Sequence, residues 1–205
     1  MAERMRMSVA RRLSHYLQVA RQAAKGGAER ISSYEIAAYT GVNPTQIRRD
    51  LSSFGRFGKR GSGYETTLLC ERLRTILGAD ENKSVVVVGA GRVGEALVSS
   101  QLSDAQGIEI VAIFDSDAGK VGRQIGSLSV SPVGDLRQQV ERHSAQGGVI
   151  AVPAQEAQGV ADELIDAGVR VLFNYSEALL DVPSDVAVRT LNPAAELLSM
   201  LSRSA

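Results

Sequence analysis

The chain has 205 residues, of which 44% are hydrophobic and 22% charged, a balance typical of globular proteins rather than disordered ones. Its wholly apolar runs, such as Val85–Val88, are far shorter than the roughly 18–20 residues of a membrane-spanning helix. No apolar stretch follows the arginines near the N-terminus, so we expect no secretory leader. The single cysteine, Cys70, cannot form an internal disulfide, and we predict a cytoplasmic location.

Charge is divided unevenly along the chain. Residues 1–78 carry 14 lysines and arginines against 6 aspartates and glutamates, a net charge of +8. Residues 79–205 carry 9 against 17, a net charge of −8. This division indicates two modules with different partners, and a basic module of this size most often binds nucleic acid. The alternative is that the uneven distribution of surface charge does not reflect different binding partners.

The first part of the chain predicts a helix-turn-helix. The predicted helices span 8–25, 33–40 and 44–53. Ser32 and Glu35 have the S-x-x-E spacing of a capping box before the second helix, and Asn43 and Pro44 are typical of the start of the third. Because the third helix would enter the major groove, its polar side chains are candidates for DNA contacts. These are Thr45, Gln46, Arg48 and Arg49.

A glycine-rich segment, 54–64, follows the third helix and cannot itself be helical. We predict a β-hairpin wing here, with Phe54, Phe57 and Tyr64 packed at its base. Its cations, which could approach DNA, are Arg56, Lys59 and Arg60. A helix over 66–77 and a polar linker follow, so we predict a winged-helix DNA-binding domain over residues 1–78.

From Ser84 onward, predicted strands alternate with helices. The strands span 84–88, 108–114, 148–152, 170–173 and 186–190, and the helices span 91–103, 134–145, 155–167 and 193–203. Continuous apolar runs such as Val85–Val88 are typical of strands buried on both faces. The pattern therefore predicts an α/β domain with a doubly wound parallel sheet, a Rossmann domain over 79–192, followed by a C-terminal dimerisation helix over 193–205.

The first strand of this domain leads into Gly89-Ala-Gly-Arg-Val-Gly94, the G-x-G-x-x-G pattern of dinucleotide-binding sites. Gly89 would allow the tight turn, Gly91 would let pyrophosphate approach the backbone, and Gly94 would let the helix pack on the strand. The N-terminus of that helix offers unpaired N–H groups to phosphate. The segment therefore predicts a nucleotide site, whereas a glycine turn without a cofactor is the alternative.

An acidic residue ends the second strand at Asp115. A carboxylate there accepts hydrogen bonds from ribose hydroxyls and repels a 2′-phosphate, which favours NAD(H) over NADP(H). Asp117 is the alternative ribose ligand. We expect Arg123 to be the only nearby cation that could favour a 2′-phosphate. We also expect it to lie past the ribose.

Four segments together resemble the Rex family of redox-sensing transcriptional repressors. They are RRDLSSFGRFGKRGSGY, VVVVGAGRVG, FDSDAGKVG and VPAQEA, and the resemblance runs from about Val9 to Leu201. It implies a homodimer that binds palindromic operators of respiratory and fermentation genes. It also implies that NADH and NAD⁺ compete for one site, that NADH releases the protein from DNA, and that the last helix is exchanged between subunits.

The resemblance also assigns residues. In the DNA-binding domain it implies major-groove or phosphate contacts by the recognition helix, through Thr45, Gln46, Arg48 and Arg49, and minor-groove contacts by the wing. The implied dinucleotide pocket comprises Gly89, Ala90, Gly91, Arg92, Val93, Gly94 and Asp115. Pro153, Asn174 and Tyr175 would lie near the nicotinamide.

Three positions depart from the family pattern. An arginine of the first helix and an aspartate near the last helix, which pair in the DNA-bound form of well-known members, are here Gln18 and Asn192. Both charges are absent together, which indicates that an amide–amide contact replaces a salt bridge. A tyrosine that approaches the nicotinamide in many members is here Ser100.

Two other functions were weighed. A small NAD-dependent dehydrogenase would need a substrate domain and a proton donor beside the nicotinamide, and only Tyr175 and Ser176 are candidates for that donor. A winged-helix repressor could instead sense a different nucleotide. We predict a repressor that is not an enzyme, with NADH and NAD⁺ as ligands, operator DNA as partner, and neither metal nor membrane.

The last predicted helix has an apolar stripe formed by Ala194, Leu197, Leu198 and Leu201. Because the Rossmann core is complete before this helix begins, the stripe needs another surface. The resemblance implies the partner subunit, and packing on the chain's own sheet is the alternative.

Overall fold

The chain forms two compact units, Met1–Glu81 and Asn82–Ala205. The structure, a computed structural model, describes residues 7–55, 57, 62–100 and 107–202. Within these described ranges, no helix is long and apolar enough to cross a membrane.

The N-terminal unit contains four helices and a small sheet. The helices are α1 (Met7–Lys25), α2 (Ser33–Thr40), α3 (Pro44–Ser52) and α4 (Thr66–Leu77). The antiparallel strands are β1 (Arg30–Ile31) and β2 (Tyr64–Glu65). The core forms because α1 packs its apolar stripe, including Leu13 and Leu17, against α4, whose Leu69 and Leu73 are buried.

Local capping explains where α2 and α3 begin. The Ser32 hydroxyl accepts a hydrogen bond from the Glu35 N–H at 3.1 Å, and the Glu35 carboxylate accepts one from the Ser32 N–H at 2.7 Å. Gly41 ends α2 in a left-handed conformation (φ 67°), and the Asn43 side chain caps α3 by accepting from the Thr45 N–H. The predicted helix-turn-helix is therefore confirmed.

The small sheet differs from the prediction. Tyr64–Glu65 pairs with Arg30–Ile31, a partner strand that the sequence analysis did not predict. Phe57 is buried and Tyr64 packs against the core, as expected. Phe54 is 37% exposed, and most of the wing against which it was predicted to pack lies outside the described residues.

The C-terminal unit is built on a seven-stranded sheet. Its strands are β3 (Lys83–Val88), β4 (Ile108–Asp115), β5 (Gln124–Ile125), β6 (Leu128–Pro132), β7 (Gly147–Ile150), β8 (Val171–Asn174) and β9 (Ala187–Thr190). Their order is β5-β6-β4-β3-β7-β8-β9, and every neighbouring pair is parallel except β5 with β6. From β6 to β9 this is the doubly wound order 3-2-1-4-5-6, so the predicted Rossmann domain is confirmed.

Helices pack on both faces of this sheet. They are α5 (Arg92–Ser99), α6 (Leu136–His143) and α7 (Ala154–Asp166), and the last helix, α8 (Pro193–Leu201), follows β9. A single turn of 3₁₀ helix, Val133–Asp135, precedes α6. Val86 and Val88 of β3 pack with residues of α6 and α7, whereas Val87 packs on the opposite face. Residues 101–106, which include the end of the predicted helix 91–103, lie outside the described residues.

Two strands, β5 and β6, were not predicted. The segment Leu128–Pro132 alternates serine with apolar residues, and only Val130 within it is buried. A strand of five residues with a single buried side chain carries too little apolar pattern to be recognised alone. It joins the sheet through backbone pairing with the end of β4.

The last helix and one face of β8 are exposed. In β8, Leu172 is buried, whereas Val171 and Phe173 on the other face are exposed. Within α8, Leu198 is 69% exposed and the other leucines of its stripe are similarly accessible. In the single chain, therefore, the predicted apolar stripe is not buried against the sheet.

Candidate functional site

The glycine turn between β3 and α5 is packed too tightly for side chains at two of its positions. A Cβ added at Gly89, where φ is 107°, would lie 2.3 Å from the Ala151 carbonyl oxygen. At Gly94, a Cβ would lie 1.9 Å from the Gly89 carbonyl oxygen. These glycines are therefore needed for the turn and for packing of α5 on the sheet, as predicted from the spacing.

Gly91 has a different environment. A Cβ at this position would meet no atom of the described chain within 4 Å, and its φ of −91° is accessible to any residue. No side chain caps α5, whose first turn contains Arg92 and Val93. A glycine that protein packing does not require, beside an uncapped helix N-terminus, fits a site where a phosphate approaches the backbone.

Asp115 lies at the end of β4 and is 8% exposed. One carboxylate oxygen accepts hydrogen bonds from the Ala90 N–H (2.8 Å) and Lys120 Nζ (2.9 Å), and the other accepts from the Asp117 N–H (2.9 Å). Burial opposes ionisation, but these hydrogen bonds outweigh it and hold the pKa of Asp115 below its ordinary value. The carboxylate thus connects the glycine turn to the loop after β4.

Lys120 is the residue that the sequence analysis missed. Its ammonium lies beside Asp115, and this hydrogen-bonded pairing raises the pKa of Lys120. The expectation that Arg123 is the only nearby cation is therefore wrong, because Lys120 lies closer to Asp115; Arg123 pairs with Glu95 at 2.8 Å. Lys120 is the third residue after Asp117 in a tight turn, where its N–H donates to the Asp117 carbonyl. The sequence offered one signal for this pairing, namely that Lys120 follows the end of β4 by only five residues.

Asp117, the alternative ribose ligand, has its own structural role. Its carboxylate accepts a hydrogen bond from the Gly119 N–H at 2.8 Å and so stabilises the turn. Asp115 contacts the glycine turn through Ala90, whereas Asp117 does not. The geometry favours Asp115 as the ribose ligand.

A cavity of about 650 Å³ lies beside these groups, within the usual volume range of small-molecule sites. Among the predicted site residues, it is lined by Gly89, Gly91, Asp115 and Pro153. Its other lining residues include Lys120, Val133, Glu156 and Val160. A lining that combines polar and apolar groups suits a ligand with both a ribose and a planar base.

The remaining predicted pocket residues have other environments. Ala90 is buried and reaches the site only through its N–H. Arg92, Val93 and Gly94 belong to the first turn of α5 and do not line the cavity.

Asn174 and Tyr175 also lie away from the lining of this cavity. Asn174 is fully buried; its amide nitrogen donates to the Ala178 carbonyl, and its oxygen accepts from the Ser176 N–H and hydroxyl. The Tyr175 ring packs edge-on against Phe173, with centroids 5.4 Å apart, and burial raises its pKa. In this structure, Asn174 shapes the loop after β8.

On the recognition helix α3, Arg48 and Arg49 differ in how they are held. Arg48 donates to the Ser33 hydroxyl (2.9 Å) and the Thr45 hydroxyl (3.0 Å), and its guanidinium lies 5.9 Å from the centre of the Tyr34 ring. Arg49 is exposed, and no hydrogen bond or ion pair of its side chain occurs within the described ranges. One arginine is thus preorganised and the other is available to an anionic partner.

Gln46 is tied to a buried polar cluster that the sequence analysis did not anticipate. Its amide nitrogen donates to Asp50 at 2.7 Å. Arg12 also binds Asp50 through two hydrogen bonds, and the Tyr16 hydroxyl adds one at 2.9 Å. We define these four residues, Arg12, Tyr16, Gln46 and Asp50, as the Asp50 cluster. The signal was Asp50 itself, an acidic residue on an otherwise basic helix.

The wing cations Arg56, Lys59 and Arg60 lie outside the described residues. Of the three departures from the family pattern, Gln18 is exposed, and the Ser100 hydroxyl donates to the Leu97 carbonyl. Asn192 caps α8, because its side-chain oxygen accepts from the Ala195 N–H at 3.0 Å. No group of three or more metal-ligating side chains that could hold an ion occurs in the described part of the chain.

Comparison with known proteins matches both units. A family model for a putative DNA-binding protein N-terminus matches residues 7–52, and one for a CoA binding domain matches residues 80–178. The redox-sensing transcriptional repressor Rex of Rubrobacter xylanophilus is 40% identical over 93% of this chain and 88% of its own length. The Rex protein of Chloroflexus aggregans is 42% identical over 94% and 91%.

Solved structures give the same result. The crystal structure of RSP in complex with beta-NADH has a TM-score of 0.87 at 30% identity, over 98% of this chain and 95% of that one. RSP in complex with beta-NAD⁺ and operator DNA has a TM-score of 0.87 at 31% identity, over 98% and 93%. RSP is itself described as a Rex-family repressor. With this identity over nearly its whole length, the chain belongs to the Rex family of redox-sensing transcriptional repressors.

Proposed function

We propose that this protein binds operator DNA as a homodimer, represses transcription, and leaves the DNA when NADH occupies the cavity of its C-terminal unit. The observation that carries the proposal is the presence, in one chain, of a helix-turn-helix with basic side chains and a Rossmann cavity with an acidic ribose ligand. RSP, a structural relative, has been crystallised with beta-NADH and with beta-NAD⁺ and operator DNA. Members of the family are repressors rather than enzymes.

The cavity fits a dinucleotide. The open space at Gly91 and the uncapped start of α5 would receive the pyrophosphate, and Asp115 would accept hydrogen bonds from the adenosine ribose. Lys120 can keep Asp115 ionised while its own side chain remains 35% exposed. NADH and NAD⁺ differ by a hydride and by the positive charge of the nicotinamide ring, so one site can report their ratio without consuming either ligand.

The proposed DNA contacts lie on α3 and on the wing. Thr45, Gln46, Arg48 and Arg49 occupy the recognition helix, which typically reads the major groove. The wing cations Arg56, Lys59 and Arg60 would contact phosphates or a narrow minor groove. Because operator DNA is reached inside the cell, we also propose the cytoplasmic location predicted from the single cysteine.

The proposed homodimer exchanges α8 between subunits. The exposed leucines of α8 and the exposed face of β8, with Val171 and Phe173, are two apolar surfaces of the same unit. Burying each against a partner copy would remove both from water without adding a new element. Two recognition helices held by a dimer would also match the two halves of a palindrome.

Truncation after Asn192 tests the exchange. It should yield monomers or aggregates that no longer bind a palindrome, measured by light scattering and gel shift. A matched pair of substitutions on α8 refines the test: Leu198→Asp, on the stripe, should weaken the dimer, whereas Ser199→Asp, off the stripe, should not. A stable dimer that still binds the operator after truncation would exclude the exchange.

The sensor function is tested by an operator gel shift at a series of NADH/NAD⁺ ratios. We expect DNA occupancy to fall as the NADH fraction rises at constant total dinucleotide. Equal occupancy at every ratio would contradict the proposal. Parallel titrations with NADPH and with coenzyme A test whether another nucleotide is the ligand, since release by either alone would identify a different sensor.

A further inference from the structure

The buried carboxylate of Asp50 contacts the side chain of Gln46, and both residues belong to the recognition helix α3. Asp50 lies one turn after Gln46 on α3 and is 5% exposed. One carboxylate oxygen accepts hydrogen bonds from Arg12 Nη2 (2.8 Å) and Gln46 Nε2 (2.7 Å). The other accepts from Arg12 Nε (2.7 Å) and the Tyr16 hydroxyl (2.9 Å). The carboxylate is therefore fixed from two helices, α1 and α3.

The chemistry of this contact determines which way the Gln46 amide faces. An ionised carboxylate only accepts hydrogen bonds, so it can bind the amide nitrogen but never the amide oxygen. Asp50 is held in that ionised form, because the hydrogen bonds of Arg12, Gln46 and Tyr16 outweigh the effect of burial and keep its pKa below the ordinary value. A 180° flip of the Gln46 amide would bring two acceptors together and is disfavoured.

The rest of the Gln46 amide stays available. An amide has two N–H donors and one carbonyl acceptor, and Asp50 uses one donor. The carbonyl oxygen and the second N–H remain for a partner, on a half-buried residue in the first turn of α3. This acceptor–donor edge matches the N6 and N7 positions of adenine in the major groove.

We propose that Asp50 is a positioning residue for base readout: it locks the Gln46 amide in the one orientation that reads adenine. The inference rests on the proposed function, because it requires α3 to enter the major groove. Arg12 contributes through Asp50 rather than through DNA, because it binds both carboxylate oxygens. The identity of the base is thus set partly from α1, which lies behind the recognition helix.

The test uses the full chain and a library of random double-stranded DNA, from which bound duplexes are selected and sequenced. Wild type should select a palindrome with adenine preferred at one symmetric pair of positions. Gln46→Ala should reduce that preference about tenfold, the scale of a lost bidentate contact, while the other positions stay unchanged. Asp50→Asn, whose amide can accept or donate, should reduce the preference at the same positions several-fold.

Tyr16→Phe is the matched control, because it removes one hydrogen bond from the same carboxylate without touching Gln46. It should lower thermal stability and leave the base preferences as in wild type. In the Gln46→Ala background, Asp50→Asn should cause no further loss of base preference. If Asp50 were purely structural, Asp50→Asn would lower affinity for all DNA sequences alike. Its effect would then be the same in wild type and in the Gln46→Ala background.

If Asp50→Asn does not fold, Arg12→Lys replaces it, since it keeps the positive charge but cannot grip both carboxylate oxygens in the same way. We expect partial loss of preference at the Gln46 positions. Unchanged preference in a folded Asp50→Asn or Arg12→Lys protein, or loss spread over all positions, would overturn the inference while leaving operator binding intact. Failure of wild type to select any sequence would instead contradict the proposed function.

Discussion

Among the described residues, each unit has one buried aspartate that pairs with a cation, and the two differ in their surroundings. Asp50 is 5% exposed and Asp115 is 8% exposed, and both have a pKa below the ordinary value. The partners of Asp50 are side chains from two helices. Those of Asp115 are two backbone N–H groups and Lys120, whose side chain is 35% exposed.

This difference separates a carboxylate that contacts only protein from one that also lines a cavity. Asp50 packs between helices, where loss of the carboxylate leaves Arg12 and Tyr16 without their partner. Asp115 lines a cavity, and its Lys120 partner can turn toward solvent. Asp50 therefore stabilises the fold of its unit, and we propose that Asp115 exchanges its protein partners for ribose hydroxyls when a dinucleotide binds.

The largest expected effect is on stability, from Asp50→Ala. Because this change leaves a partly buried arginine and a buried tyrosine hydroxyl unpaired, it should lower the free energy of unfolding by about 3 kcal/mol. Asp115→Ala should cost no more than about 1 kcal/mol, since its donors can bind water in the cavity. Urea unfolding of both variants measures the difference. Equal losses of unfolding free energy would show that the two aspartates do not differ in their contribution to stability.

The second effect compares two glycines of one turn. Gly94→Ala should destabilise the C-terminal unit by about 1–3 kcal/mol, because its methyl would overlap the Gly89 carbonyl oxygen. Gly91→Ala should leave unfolding within about 0.5 kcal/mol of wild type yet weaken NADH binding at least tenfold. Unfolding curves and calorimetric titration separate the two roles. Tight NADH binding by Gly91→Ala would show that phosphate does not approach that backbone.

The third effect is on the ribose contact. Asp115→Ala should weaken NADH binding by about 1–2 kcal/mol, the scale of a charge-assisted hydrogen bond. Asp117→Ala is the control, because its carboxylate stabilises the turn through Gly119 and does not contact the glycine loop. It should change NADH affinity less. The reverse ranking in calorimetry would make Asp117 the ribose ligand.

The smallest effect concerns the choice between NADH and NADPH. Lys120 offsets the charge of Asp115, so Lys120→Met should increase repulsion of a 2′-phosphate and raise the NADH preference a few-fold, by less than about 1 kcal/mol. Arg123→Met, which removes a cation paired with Glu95, should leave the preference unchanged. If the arginine variant alone alters selectivity, Arg123 is the cation that faces the cofactor.

Much of the fold could be predicted because its signals are local. The capping box of Ser32 and Glu35 and the Asn43-Pro44 start of α3 are satisfied within a few residues. The buried run Val85–Val88 similarly identifies β3 without reference to other segments. Strand β6 lacked such a signal, because its place depends on backbone pairing with β4.

Site residues could be predicted where their contacts involve residues that are near in the sequence. Gly89 and Gly94 have the roles that their spacing indicates. A side chain at Gly94 would meet Gly89 of the same turn, and one at Gly89 would meet Ala151, which follows the neighbouring strand β7. The pairing of Lys120 with Asp115 requires the path of the turn after β4. In the Asp50 cluster, Arg12 and Tyr16 are 38 and 34 positions from Asp50, and no sequence period connects the two helices.

The central claim is that the cavity of one unit controls DNA binding by the other. Fluorescence anisotropy of labelled operator DNA, titrated with NADH, tests it directly for wild type and Asp115→Ala. We predict equal operator affinity without NADH, release of wild type by NADH, and release of the variant only at about 5- to 30-fold higher NADH, the equivalent of 1–2 kcal/mol. Release of both proteins at the same NADH concentration, or no release of wild type, would contradict the account.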